Sequence, residues 1–130
     1  MTSIRRFTLD TGALVAIERR KQRAMHLFEL LGTGYAIATV PAPVLSEWWR
    51  GRTDVREQIL LSVDVEPLSA RIACLAGEAV ATLKNVKAGL TIDAQVMASA
   101  ALRGDVVYTG DARDLERLRA FFPSVRVLAV

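Results

Sequence analysis

Short runs of β-branched residues alternate with longer runs of helical periodicity, and this alternation constrains the fold more than any other feature of the chain. Residues 6–9, 35–39, 63–67, 106–109 and 125–128 read as strands. The intervening stretches read as helices: 12–23 continuing to 31, 41–50, 52–61, 70–84 behind a Ser69 cap, 92–103 behind a Thr91 cap, and 112–122. Strands separated by helices pair in parallel through crossovers, so the expected fold class is an α/β sandwich around a mostly parallel sheet. A chain of 130 residues suits one domain spanning 1–130, with a single substantial core.

Composition closes off several alternatives. Apolar residues make up 52% and charged residues 24%, which excludes a disordered or collagen-like chain. The single cysteine, Cys74, cannot form an internal disulfide, so a disulfide scaffold is excluded and a reducing compartment is expected. The N-terminal residues 1–6 lead into a short stretch broken by Asp10, so no signal-peptide core follows. The longest charge-free stretch, residues 30–46, is interrupted by Gly32, Gly34, Pro41 and Pro43 and falls short of the roughly 20 apolar residues a membrane span needs. A soluble, cytoplasmic protein with no membrane partner is expected.

In parallel α/β sheets, ligands bind at the carboxyl ends of the strands. Asp10 directly follows the first strand and Asp111 follows the fourth, two residues after Thr109. Asp93 opens the helix that feeds the fourth strand, and a helix antiparallel to its strand begins at that same edge. Glu47 lies roughly 6 Å along the axis of the helix after the second strand, a distance much of which its side chain can bridge. Asp114, three residues past Asp111, falls on the same side of the last helix's opening turn. Any one of these acids taken alone is accounted for by helix capping or by a favourable helix dipole. Glu47 resists that explanation, because it interrupts an apolar stretch running from Val44 and Leu45 to Trp48 and Trp49.

Clustered carboxylates raise one another's pKa, and the repulsion is relieved either when some stay protonated or when a cation sits among them. Oxygen-only ligands select hard ions, so Mg²⁺ or Mn²⁺ is the expected cofactor. Such an ion, completed by a substrate phosphate, points to phosphodiester chemistry in which a metal activates water.

The segments Leu9-Asp10-Thr11-Gly12-Ala13-Leu14, Leu45-Ser46-Glu47, Thr91-Ile92-Asp93-Ala94 and residues 107–115 together resemble the PIN-domain nucleases, and most closely the VapC toxin branch of bacterial toxin–antitoxin pairs. The resemblance spans nearly the whole chain and agrees in both order and spacing. It implies a three-layer α/β/α sandwich with a five-stranded parallel sheet in the order 3-2-1-4-5, which makes strands one and four neighbours. It also implies a Mg²⁺- or Mn²⁺-dependent endoribonuclease, dimeric and silenced by a cognate VapB-type antitoxin. The family's acids map onto Asp10, Glu47, Asp93 and Asp111, with Asp114 a further acid and Thr109 the small hydroxyl residue before the last acids. Asp10, Asp93 and Asp111 are then expected to bind the metal directly or through water, Glu47 to bind it or orient the nucleophilic water, and Asp114 to support.

The remaining features are ambiguous in the sequence. Arg19, Arg20 and Arg23 lie near the end of the first helical stretch, and Arg50 and Arg52 follow Glu47; each serves either as an RNA contact or as a solvated surface charge. Trp48 and Trp49 face different sides of their helix, one expected in the core and the other available for a dimer contact, an antitoxin groove or base stacking. His26 is expected to be structural and Cys74 to lie in the core. Asp10-Thr11-Gly12 also spells an aspartic-protease motif, but those chains are mostly β. A dehalogenase-type phosphatase needs a second Asp where Gly12 stands, and a receiver domain needs a Lys after its last switch strand, where none follows Lys87. A housekeeping RNA-processing nuclease of the same fold, or a non-catalytic binding domain, remains the rival reading. Five clustered acids would leave nine acids elsewhere against 17 bases, a cationic surface around an acidic hole.

Overall fold

The computed structural model describes residues 4–130; residues 1–3, part of the stretch read above for a leader, lie outside the described residues. Five strands, β1 (Arg5–Leu9), β2 (Ala36–Pro41), β3 (Asp64–Glu66), β4 (Val106–Thr109) and β5 (Val127–Ala129), form one sheet. Every pairing is parallel and the order is β3-β2-β1-β4-β5, as expected. The connections carry α1 (Thr11–Glu18), α2 (Gln22–Thr33), α3 (Ala42–Trp48), α4 (Asp54–Leu61), α5 (Ala70–Ala81), α6 (Leu90–Arg103) and α7 (Ala112–Glu116). The chain winds outward from β1 to β3, then returns to β4 and winds the other way. Right-handed crossovers in opposite directions put α1–α4 on one face and α5–α7 on the other, giving three layers. Side chains of the strands follow suit: the Tyr108 hydroxyl donates to the carbonyl of Arg23 in α2, whereas Thr8 faces Arg103 of α6.

The core fills both faces of the sheet. Leu9, Leu14, Val40, Val44, Met97 and Val107 are fully buried, and α6 buries seven residues between Leu90 and Ala100. One partly buried polar network crosses this packing. Arg103 donates through Nε to Asp105 (2.8 Å) and through Nη2 to Thr8 (2.8 Å), and pairs through Nη1 with Glu66, which also accepts from Ser99 (2.6 Å). Thr8 in turn donates to Asp105 (2.9 Å). The network ties β1, β3 and α6 to the start of β4.

Several expected boundaries shift, each for a local reason. The first helical stretch breaks at Arg19–Lys21, where Arg20 adopts a left-handed φ of 58°. The N–H of Lys21 bonds to Ala16 and that of Arg20 to Ile17, a Schellman closure with arginine where glycine is usual. The helix expected behind Thr91 starts earlier, at Leu90, because Gly89 makes the N-terminal turn at φ 91°. The final helix stops at Glu116 and continues as turns rather than running to 122. Cys74 is exposed and not a core residue: α5 buries Ile72, Ala76 and Ala79, and Cys74 lies about 200° around the helix from Ile72. His26 is likewise exposed, on a helix that buries Ala24 and Leu27. Among the described residues, no helix is long and apolar enough to cross a membrane.

Candidate active site

At the carboxyl ends of β1 and β4 the chain departs toward opposite faces, opening the crevice typical of such a switch point. Asp10 leaves β1 and caps α1, its Oδ1 accepting the N–H of Ala13 (2.8 Å) and of Gly110 (3.2 Å). Its Oδ2 accepts the hydroxyl of Thr109, and the same hydroxyl oxygen accepts the N–H of Asp111 (3.0 Å). Asp111 caps α7 through the N–H of Arg113 (3.0 Å). Capping and site formation are therefore the same arrangement: each acid is held by backbone donors at a helix start, and the fully buried Thr109 couples the two.

Two glycines make this coupling possible. A Cβ on Gly12 would lie 2.7 Å from the Cα of Gly110, and one on Gly110 would lie 2.6 Å from the Cα of Gly12. The loops after β1 and β4 thus touch backbone to backbone. The requirement is space and not torsion, since neither glycine is among those with positive φ.

Glu47 projects from α3, with its Oε1 accepting the hydroxyl of Thr11 (2.6 Å). Asp93 and Asp114 stand in the first turns of α6 and α7. All five acids line one cavity of about 250 Å³, with Thr11, Gly12, Val44, Ile92 and Gly110. The electrostatics register the crowding. Burial, then the charges of Asp10, Asp114, Glu47 and Asp111, push the carboxyl of Asp93 up to about 7. Burial also raises Asp10, outweighing the lowering effect of its bonds from Thr109, Ala13 and Gly110, and the charge of Asp111 adds to the rise.

Among the described residues, no three His, Cys, Asp or Glu side chains are gathered as a direct coordination sphere. The donor chemistry nonetheless fits a hard divalent ion. The donors are oxygens, ionisation of Asp93 is costly without a cation, and Mg²⁺ characteristically keeps several waters between itself and a protein. These residues suit an ion held in good part through its own water shell.

The basic residues proposed for RNA divide. Arg19 and Arg50 line a groove of about 470 Å³ that adjoins the acidic cavity through Thr11 and Glu47. Arg50 also closes α3, donating to the carbonyls of Ser46 (3.2 Å) and Trp49 (3.0 Å). Arg20 instead borders a small apolar cleft between α1, α2 and α4, and Arg52 pairs with Glu57 at 3.6 Å. Neither these two nor Arg23 lines the groove or the acidic cavity. Trp48 is the core tryptophan, its Nε1 donating to Glu18 (3.0 Å); half-buried Trp49 sits edge-on to it. Sequence reasoning missed Thr11, Gly12 and Gly110 as site residues, although they adjoin the acids in Asp10-Thr11-Gly12 and Thr109-Gly110-Asp111.

The PIN domain family profile matches residues 7–120, a span that contains all five acids and both crossing glycines. The chain belongs to the PIN domain family. Comparison with curated proteins gave no match. Among solved structures, this PIN domain is similar to the crystal structure of VapBC2 from Rickettsia felis bound to a DNA fragment from their promoter. The TM-score is 0.71 at 18% sequence identity, covering 96% of this chain and 98% of that one, so the likeness is one of fold. The shared PIN fold explains why the acids meet: it makes β1 and β4 neighbours although 96 residues lie between Leu9 and Val106, and it starts α6 at the same edge.

Proposed function

We propose that this chain is a divalent-metal-dependent endoribonuclease and the toxin of a toxin–antitoxin pair. The observation that carries the reading is the convergence of five carboxylates, contributed by four separate segments, on one cavity at the switch point of a PIN fold. PIN domains are generally nucleases that use divalent metals. The fold likeness to VapBC2 supports a VapB-type antitoxin as partner, and we extend the reading to a cytoplasmic homodimer acting on RNA.

Mg²⁺ or Mn²⁺, when bound, supplies a lowered pKa for a coordinated water and neutralises charge on the leaving oxygen. Asp10, Asp93 and Asp111 would hold it, directly or through water, with Asp114 in support. Thr109 keeps Asp10 and Asp111 in fixed relation. Thr11 occupies Oε1 of Glu47, which leaves Oε2 to orient the attacking water and accept its proton. The attack is in line on the phosphodiester.

Asp93→Asn is the cleanest variant for a test, because Asp10 and Asp111 also cap helices. Purified protein should cut RNA with Mn²⁺, and both EDTA and Asp93→Asn should abolish the cutting. Cleavage that survives either would overturn the reading. For the toxin assignment, a short reading frame directly upstream should encode a protein that relieves growth arrest on co-expression; failure to do so favours a housekeeping nuclease.

A further inference from the structure

The acidic cavity has a hollow on each flank. Toward α1 and α3 lies the groove that carries Arg19, Arg50 and Arg56 and shares Thr11 and Glu47 with the cavity. On the opposite flank a hollow of about 300 Å³ is lined by Lys87, Arg113 and Arg117, and shares Asp111 and Asp114 with the cavity. The three depressions share walls, so they form one course across the carboxyl edge of the sheet, with cations at both ends and carboxylates between.

The cations differ in how far they are committed. Arg56 is paired with Glu18 at 3.1 Å, and Arg113 lies 4.0 Å from Asp111 with its side chain 95% exposed. Neither Lys87 nor Arg117 has an ion pair among the described residues. Arg117 donates through Nη2 to the carbonyl of Lys84 (2.6 Å), which anchors its guanidinium beside the hollow and leaves other N–H groups unused. A guanidinium held at one nitrogen can still present a fork to phosphate.

We propose that Lys87 and Arg117 form a phosphate subsite on the far side of the acids from Arg19 and Arg50. One RNA strand then crosses the sheet edge with its scissile phosphate over the carboxylates and a neighbouring phosphate on each flank. The inference rests on the nuclease reading above. It also specifies a single strand: a backbone must dip through three hollows in succession, and a positively charged groove that tracks a flexible backbone is the design of single-strand binders.

The test is the salt dependence of binding to a short labelled single-stranded RNA, measured in EDTA, for wild type, Lys87→Gln and the double variant Lys87→Gln/Arg117→Gln. Each phosphate contact contributes about 0.7 to the slope of log K against log salt for a single strand, so the double variant should lose about 1.4. That loss equals roughly 25-fold weaker binding at 0.1 M salt relative to 1 M, and it should be uniform across RNA sequences. Lys87→Gln, whose side chain makes no hydrogen bond among the described residues, should lose about 0.7, a change that misfolding would not mimic. If wild type cleaves RNA with Mn²⁺ but the double variant keeps the full slope, the subsite is wrong and the nuclease reading stands. If wild type neither binds nor cleaves RNA, both fall. Equal affinity for a blunt duplex of the same sequence would overturn the single-strand assignment.

Discussion

Replacing Gly12 by alanine isolates the contact on which the site's geometry depends. The new Cβ would lie 2.7 Å from the Cα of Gly110, about 1 Å inside the roughly 3.5–4.0 Å at which carbons rest against each other. Both neighbours are backbone, so no side-chain rotation relieves the clash and the two loops must part. Overpacking of this kind costs about 1–3 kcal/mol, against which alanine's helix propensity returns at most about 1 kcal/mol. Taking the middle of that range, about 2 kcal/mol, the net expectation is a loss of about 1–2 kcal/mol, a fall in Tm of roughly 3–10 °C.

The effect on chemistry should exceed the effect on stability. Parting the loops by about 1 Å takes the 3.2 Å bond from Gly110 to Asp10 beyond hydrogen-bonding range and loosens the Thr109 link between the acids. Misplacement on that scale lowers turnover by about 100-fold. Thermal melts and Mn²⁺-dependent RNA cleavage read the two effects separately, and Gly110→Ala should behave alike. Gly77→Ala serves as the control: it sits within α5 with nothing within 4 Å of the added carbon, so it should stabilise by about 0.5–1 kcal/mol. A Gly12→Ala protein that melts at or above the wild-type temperature and cleaves at the wild-type rate would refute the reasoning.

Three further outcomes follow from the same structure. Asp93 titrates near 7 when folded against 3.8 ordinarily, so between those values the native state binds more protons than the unfolded one. Metal-free protein should therefore lose stability as pH rises from about 4 to 7, and Asp93→Asn should flatten part of that decline. Allowing for solvent at this partly buried carboxyl, the variant should gain on the order of 1 kcal/mol near pH 8, and melting profiles parallel to wild type would contradict it. Thr11→Val removes the donor that fixes Glu47 and should slow cleavage by about 10-fold while leaving stability within about 0.5 kcal/mol, a split that steady-state kinetics beside urea unfolding will check. Arg103→Met strands the buried Asp105 and the partly buried Glu66 and should cost about 2–3 kcal/mol in urea unfolding; a loss under about 1 kcal/mol would mean that solvent screens those carboxylates.

The fold was legible because five short β-branched runs alternate with stretches of helical periodicity, and the acids were legible because they sit just past strand ends or near the starts of helices at the same edge. What the sequence hid lies in distance and direction. Arg20 occupies a left-handed position with no glycine to mark it, so the first helical stretch reads as continuous. Cys74 has apolar neighbours at i±1 and i−2, yet helical geometry turns it away from the face those residues suggest. Gly12 and Gly110 look like ordinary turn formers because the close approach they permit is between residues 98 positions apart. Lys87 is separated in the chain from Arg117, and only the α5–α6 and α7 geometry puts both at one hollow.

The place of β4 in the sheet bears on when this protein acquires its site during synthesis. A ribosome that has made the first hundred residues has already supplied Asp10, Glu47 and Asp93. At that stage β1 still lacks its second neighbour, and Oδ2 of Asp10 has no hydroxyl to accept. The strand that completes the cavity is the fourth of five and adds to the open edge of β1, so the nascent chain carries an unfinished pocket until β4 emerges. For a chain proposed to cut RNA, the cutting edge therefore stays disassembled through the synthesis of its first three strands and of Asp93.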